Sequence, residues 1–382
     1  MEVVITSADT ISPTLQKPTQ RLTQRFKSIE DFFDINKHNT LDLDLSQLRS
    51  KDARIMRKHT LMLIKATEST YKKSRLDEIS PEGIGLFMSL GIFDYEVDDL
   101  LQSTLKSTRD NRLNYSEFFK KGYREIYPLW PLMMLNNIAM CQCAIRLGIK
   151  GDNAVFSPHS DSSLNAIYEG WMSVLEHHSD VAIVGALSEI ISPISLVRYV
   201  LCNTNSSRIG NTPAIPPYCL SEGAVTLSLE RRENAQKRGL QAVAVLKGFS
   251  AGFGFDEIKG GVSIQAIEKS MNMAIQMAGI SPNEIDIVFT HHDTEIDDGI
   301  NEYRAIKDIF DPIPTVLSTK SIFGDMLACA GAFDVALAIK TFLDPHYIRD
   351  LFNKNIENAP YHILINAMSV EGNVTTLVLG RV

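Results

Sequence analysis

Cysteine is scarce in this sequence and tryptophan scarcer: five and two in 382 residues. Cys141, Cys143, Cys202, Cys219 and Cys329 are too few and too scattered for a disulfide framework. Cys141-Gln142-Cys143 has no zinc-ligand spacing, and a reducing cytoplasm is the expected setting. Positive charge is also short, with 38 Lys and Arg against 46 Asp and Glu and a net charge of −8. That balance argues against a nucleic-acid partner, because phosphate contacts need a basic face. Long apolar runs are missing too. The stretches 130–149 and 181–200 are broken by Asn136, Asn137, Arg146, Glu189 and Arg198, so neither gives the ~20 clean apolar residues of a membrane span. The N-terminal MEVVITSADTISPTL lacks the basic start and apolar block of a signal peptide.

What is present is an ordinary globular composition, 44% apolar and 22% charged, in a chain long enough for two domain-sized units or one large layered one. A β-branched run, Val3-Val4-Ile5, predicts an opening strand. Residues 51–73 read as a helix, with Ile55, Met56, Thr60, Met62, Leu63 and Ala66 mainly on one face. Strand-like text follows at 83–90, a helix at 94–107, a charged surface excursion at 111–122 and a second long apolar helix at 131–147. Asn153-Ala154-Val155-Phe156 reads as a short buried strand. The small polar residues 157–163 come next. A helix then carries Leu164, Ile167, Tyr168, Trp171 and Leu175 at i, i+3, i+4, i+7 and i+11. With a strand at 180–185 this forms a strand–helix–strand unit. Residues 203–217 read as a loop, and strands follow at 222–229 and 242–249. The second part repeats the first in kind. It has a helix at 261–278, a strand at 285–290 ending in His291-His292-Asp293, a helix at 298–310 and a strand at 314–318. An Ala-rich helix at 324–342 and closing strands at 362–367 and 374–379 complete it. Two halves are expected, 1–246 and 247–382.

These polar loops resemble one family in order along nearly the whole chain. VVITSADTISP is similar to the first strand of the elongating β-ketoacyl-acyl-carrier-protein synthases, SKDARIMRKHT to their basic helix start, and LGIKGDNAVF to the strand before their nucleophile. YCLSEGAVTLSLE matches their acidic-Gly-Ala strand, VFTHHDTEIDDGINEYRAI the segment of the first catalytic His, and LSTKSIFGDMLACAGAFDVALA that of the Lys and second His. The resemblance implies a thiolase-like α/β fold, a duplicated αβαβα five-layered sandwich. It also implies a catalytic Cys at a helix N-terminus, two His residues and a Gly-rich gate loop.

This sequence departs at most of those positions. Ser160 stands where the Cys belongs, and a Ser hydroxyl is a far weaker nucleophile unless a base activates it. Asp161 adds negative charge beside it. His291 keeps the first His and Lys320 keeps the Lys, which the resemblance has either orient backbone or pair with Glu222. Asp325 replaces the second His. Ser369-Val370-Glu371-Gly372-Asn373 replaces the gate, with Val370 for the gating Phe.

That profile is similar to chain-length-factor-like subunits. These lack the Cys, form a heterodimer with a catalytic ketosynthase subunit and shape its acyl tunnel, while the acyl carrier protein docks through the partner. Members in aromatic polyketide systems carry Gln in place of Cys. Ser160 therefore points towards another branch, such as the partner subunits of aryl-polyene systems. No catalytic residue, cofactor or metal is expected on this reading. Phe93, Tyr95 and Val97 are candidates for limiting chain length, with ordinary packing as the alternative. Val155 and Phe156 lie on the strand expected at the interface, and Asn137 is expected to be a buried hydrogen-bonding residue.

Ser160, His291 and Asp325 also spell a Ser-His-Asp set, which would make an acyl hydrolase or acyltransferase. Helix capping by Ser160 and Asp161 is the plainer reading, and no Gly-x-Ser-x-Gly elbow is expected in the chain. Adjacent His291 and His292 point oppositely on a strand, which disfavours a metal site with His159, Asp293 and Asp325.

Overall fold

The computed structural model describes residues 2–12, 40–44, 56–93, 96–204, 218–257, 261–293, 299–354, 356 and 359–382. Tyr95, residues 205–217 of the loop expected at 203–217 and the first residues of the helix expected at 51–73 lie outside them.

In the first half, β1 (Val3–Ile11) leads to α1 (Lys58–Lys73) and β2 (Ile84–Leu90). An excursion then carries α2 (Val97–Ser107), a small hairpin of β3 (Thr108–Arg109) and β4 (Arg112–Leu113), α3 (Tyr115–Lys120) and α4 (Trp130–Met133). It returns through α5 (Ile138–Leu147) to β5 (Asn153–Phe156), α6 (Ser160–Leu175), β6 (Val181–Leu187), α7 (Pro193–Thr204) and β7 (Ala224–Arg231). After α8 (Arg232–Lys237) the second half runs β8 (Ala244–Phe253), α9 (Ile264–Ala278), β9 (Ile287–Phe289), α10 (Ile300–Ile309), β10 (Thr315–Leu317) and α11 (Lys320–Phe323). It ends with α12 (Ala330–Leu343), α13 (Pro345–Phe352), β11 (His362–Met368) and β12 (Asn373–Gly380).

The ten strands of the main sheet hydrogen-bond in the order β10-β9-β11-β12-β8-β1-β7-β6-β2-β5. Each half has the same pattern. In the first, β2 pairs parallel with β5 and β6, and β7 then pairs antiparallel with β6 and β1. In the second, β9 pairs parallel with β10 and β11, and β12 then pairs antiparallel with β11 and β8. The halves meet where Val4 and Ile5 of β1 face Val245 and Ala244 of β8.

Alternation along the strands builds the layers. On β6, Ala182, Val184 and Ala186 pack inward with Leu164, Ile167 and Trp171 of α6, while Val181, Ile183 and Leu187 pack outward with α1 and α5. On β11, Ile363, Ile365 and Ala367 join the same inner core, with Phe333 and Val335 of α12, while Leu364 and Met368 face α9 and α10. Two central helices therefore lie between two sheet halves, each covered by outer helices: the duplicated αβαβα sandwich of the thiolase-like fold. Gly331 permits the close approach of α12 and α6, since a Cβ there would stand 2.6 Å from Ser163 Oγ.

Several elements differ from expectation. The apolar run 131–147 is two helices rather than one. Its first part leaves Leu132 and Leu135 exposed, and the break at 134–137 lets Asn136 Nδ2 donate to Ser157 Oγ at 3.0 Å. Asn137, expected to be buried, is exposed. β5 is not buried but lies at the edge of the sheet, with Asn153 exposed and Val155 and Phe156 half-buried. The helix expected from 324 starts at Ala330, after a 3-10 turn at Leu327–Cys329. Among the described residues no helix is long and apolar enough to cross a membrane.

Candidate active site

α6 begins at Ser160, with His159 at its N-cap in extended backbone. Neither Ser160 nor Asp161 caps it, which corrects the capping expectation. Ser162 donates to the His159 carbonyl, and Ser163 donates to the Ser160 carbonyl at 2.7 Å. Ser160 Oγ is buried and has no hydrogen-bond partner among the described residues. Burial raises the Asp161 carboxyl above its ordinary range. His159 Nε2 lies 3.5 Å from Oε1 of Glu371, which sits in the β11–β12 turn, where Val370 is exposed.

β9 delivers His291 and His292. Their backbone N–H groups both donate to the buried Glu302 of α10, each at 3.1 Å, and Asn366 Nδ2 of β11 donates to it at 3.0 Å. Burial lifts the Glu302 carboxyl to about 7 despite those donors. His292 stacks on Tyr218, whose hydroxyl accepts from Asp293 N–H at 2.6 Å. Burial, with the Lys320 charge second, pushes His292 down to about 3 and His291 well below its ordinary range.

α11 and the turn after it place Lys320 and Asp325. Lys320 Nζ lies 3.0 Å from Asp325 Oδ2 and 3.2 Å from His291 Nε2, with the Tyr218 ring beside it. Tyr199 OH of α7 donates to Asp325 Oδ2 at 3.2 Å. Next along the chain, Thr319 Oγ1 donates at 2.7 Å to Asp334, a buried carboxyl raised to about 8 by desolvation. The expected Lys320–Glu222 pair is absent. Glu222 takes the Lys58 ammonium at 2.5 Å and the backbone N–H groups of Leu41 and Ile191 at 2.7 and 3.0 Å.

Two models of one family match the chain: the N-terminal domain of beta-ketoacyl synthase over residues 5–235 and its C-terminal domain over 243–346. The chain belongs to the β-ketoacyl synthase family. It is 26% identical over 306 residues to a 3-oxoacyl-[acyl-carrier-protein] synthase 2 of Staphylococcus aureus, covering 76% of this chain and 73% of the relative. It is 27% identical over 236 residues to the chloroplastic 3-oxoacyl-[acyl-carrier-protein] synthase I of Hordeum vulgare, 58% of this chain and 50% of the relative. A chain of a solved complex, a type II polyketide-synthase acyl carrier protein with its ketosynthase bound to the hexaketide, superposes with a TM-score of 0.73 at 18% identity, covering 100% of this chain and 99% of that one. A β-ketoacyl synthase from Burkholderia phymatum gives the same values.

Within this β-ketoacyl synthase fold, His291, Lys320 and Asp325 come together as one hydrogen-bonded group. Ser160 bonds to none of them, so no Ser-His-Asp relay is assembled among the described residues. The tunnel candidates separate. Phe93 is buried and stacks on His59 with ring centroids 3.9 Å apart, whereas Val97 is exposed. Glu302 joins the site unexpectedly, and its signal in the sequence is an acid in a helix ten residues after a His pair. The Gly-x-Ser-x-Gly spacing, expected to be missing, is present at Gly248-Phe249-Ser250-Ala251-Gly252. That segment lies inside β8, with Ser250 paired to Thr376, and is not the strand-to-helix turn that exposes a nucleophile.

Proposed function

We propose that this chain is a non-catalytic, chain-length-factor-like subunit that pairs with a catalytic ketosynthase in type II fatty-acid or polyketide biosynthesis, of the polyene kind. The observation that carries the reading is the Lys320 contact. An ion pair with Asp325 stands at the second-His position, and the remaining His291 is bonded to the same ammonium. A buried Ser160 hydroxyl with no base in contact adds to it, since an unactivated Ser is a poor acyl acceptor.

The chain would divide into halves 1–246 and 247–382. The half-buried edge strand β5, with Val155 and Phe156, would meet the partner. Phe93 would close the acyl tunnel, and Tyr95 remains a candidate for the same role. The acyl carrier protein would dock mainly on the partner. Co-expression with a ketosynthase encoded nearby tests this: a one-to-one heterodimer on a sizing column is expected. A stable homodimer that condenses acyl and malonyl thioesters unaided would overturn it.

A further inference from the structure

An ammonium has no lone pair, so Lys320 donates in both of its contacts and Nε2 of His291 accepts. His291 is thereby the neutral tautomer that carries its proton on Nδ1. Burial and the Lys320 charge both oppose its protonation. A ring nitrogen engaged in this way has no N–H to offer a carbonyl oxygen.

The position of Lys320 follows from Asp325, which is held at every polar atom. Its N–H donates to the Cys219 carbonyl at 2.6 Å, and its own carbonyl accepts from Ser221 N–H at 2.9 Å. Oδ1 accepts from Leu327 N–H at 2.9 Å, and Oδ2 accepts from Tyr199 OH at 3.2 Å and from Lys320 at 3.0 Å. The preceding Gly324 has φ +79°, and a Cβ there would lie 2.9 Å from the Cys219 carbonyl oxygen, so the turn is built around that close approach. The carboxylate is fixed, and the flexible lysine goes to it.

We propose that Asp325 is a positioning residue that pins the Lys320 ammonium onto Nε2 of His291, holding the imidazole as a hydrogen-bond acceptor and closing it to any carbonyl ligand. What this means for activity rests on the non-catalytic reading above. The spectral signature does not, so the two can fail separately.

The test is 15N NMR of the full chain labelled at histidine, with His291 assigned by the signals lost in His291→Gln. Native protein should show His291 protonated on Nδ1, with an Nε2 resonance displaced upfield by an accepted hydrogen bond. Asp325→Asn, nearly isosteric, should move that resonance downfield, and Lys320→Met should move it at least as far. Tyr199→Phe, which leaves the carboxylate and the lysine in place, should leave it near its native position and report any general loosening of the site. A proton on Nε2 in the native protein would overturn the proposal. So would a shift in Lys320→Met with none in Asp325→Asn.

Discussion

The two halves share one topology, yet they handle the matching junction differently. In the first half the third strand, β5, passes into its helix α6 through Ser157, Pro158 and His159 alone. In the second half the third strand, β10, is followed by α11, a glycine turn and a 3-10 turn before α12 begins. The direct junction brings small hydroxyls that bond to local carbonyls and leave Ser160 with nothing to do. The interrupted junction brings Lys320 and Asp325 to His291 and concentrates the buried ionisable groups, Glu302 and Asp334 included. The repeat supplies the scaffold, and the inserted turn decides what polar chemistry it holds.

If that contrast is right, substitutions should weigh far more heavily at the second junction. The largest effect is expected for Glu302→Ala, which leaves two backbone N–H groups and the Asn366 amide without their acceptor. A loss of about 3 kcal/mol, read from urea unfolding, is expected from buried donors left unpaired. A change under about 1 kcal/mol would mean that Glu302 does not organise the histidine segment.

Gly324→Ala comes next, at about 1–3 kcal/mol for a side chain forced to positive φ. Retention of full stability would show that the turn can relax away from the Cys219 carbonyl.

A pH effect is smaller and its sign is specific. Glu302 and Asp334 keep protons in the native state, to about 7 and about 8, that the unfolded chain has already released. Their contribution to stability is full below the ordinary carboxylate range and is lost as pH rises through those native values. His291 and His292 act oppositely but only below about pH 6.5, where the unfolded imidazoles gain protons. Between pH 6.5 and 8 these four groups together should therefore make stability fall with rising pH, and Glu302→Gln should flatten the fall. A native protein that becomes more stable over that range contradicts the assignment.

Smallest of all should be Ser160→Ala at the first junction. A buried hydroxyl without a partner contributes nothing to lose, so a change within about 1 kcal/mol, of either sign, is expected. A large destabilisation would mean that the hydroxyl has a partner in solution.

Much of the scaffold was legible in the sequence because strands and amphipathic helices carry their own period. Ile84–Leu90, Val181–Leu187 and the Leu164–Leu175 stripe appear as expected. The apolar run 131–147 misled because hydrophobicity alone does not say whether a segment is covered, and Leu132 and Leu135 are not. At the site, motif order singled out His291, Lys320 and Asp325, which the fold brings together. Their partners were not. A motif could suggest that Lys320 pairs with Glu222, but only the fold shows Lys58 already there and Asp325 five residues from the lysine.

We propose that the scaffold is kept in this chain while acyl transfer is not. Intact-protein and peptide mass spectrometry after exposure to an acyl-acyl-carrier-protein thioester, with the chain alone and co-purified with a catalytic ketosynthase, tests this most directly. An acyl adduct is expected on the partner's cysteine and none on this chain in either sample. An acyl group on Ser160, absent from Ser160→Ala, would contradict it.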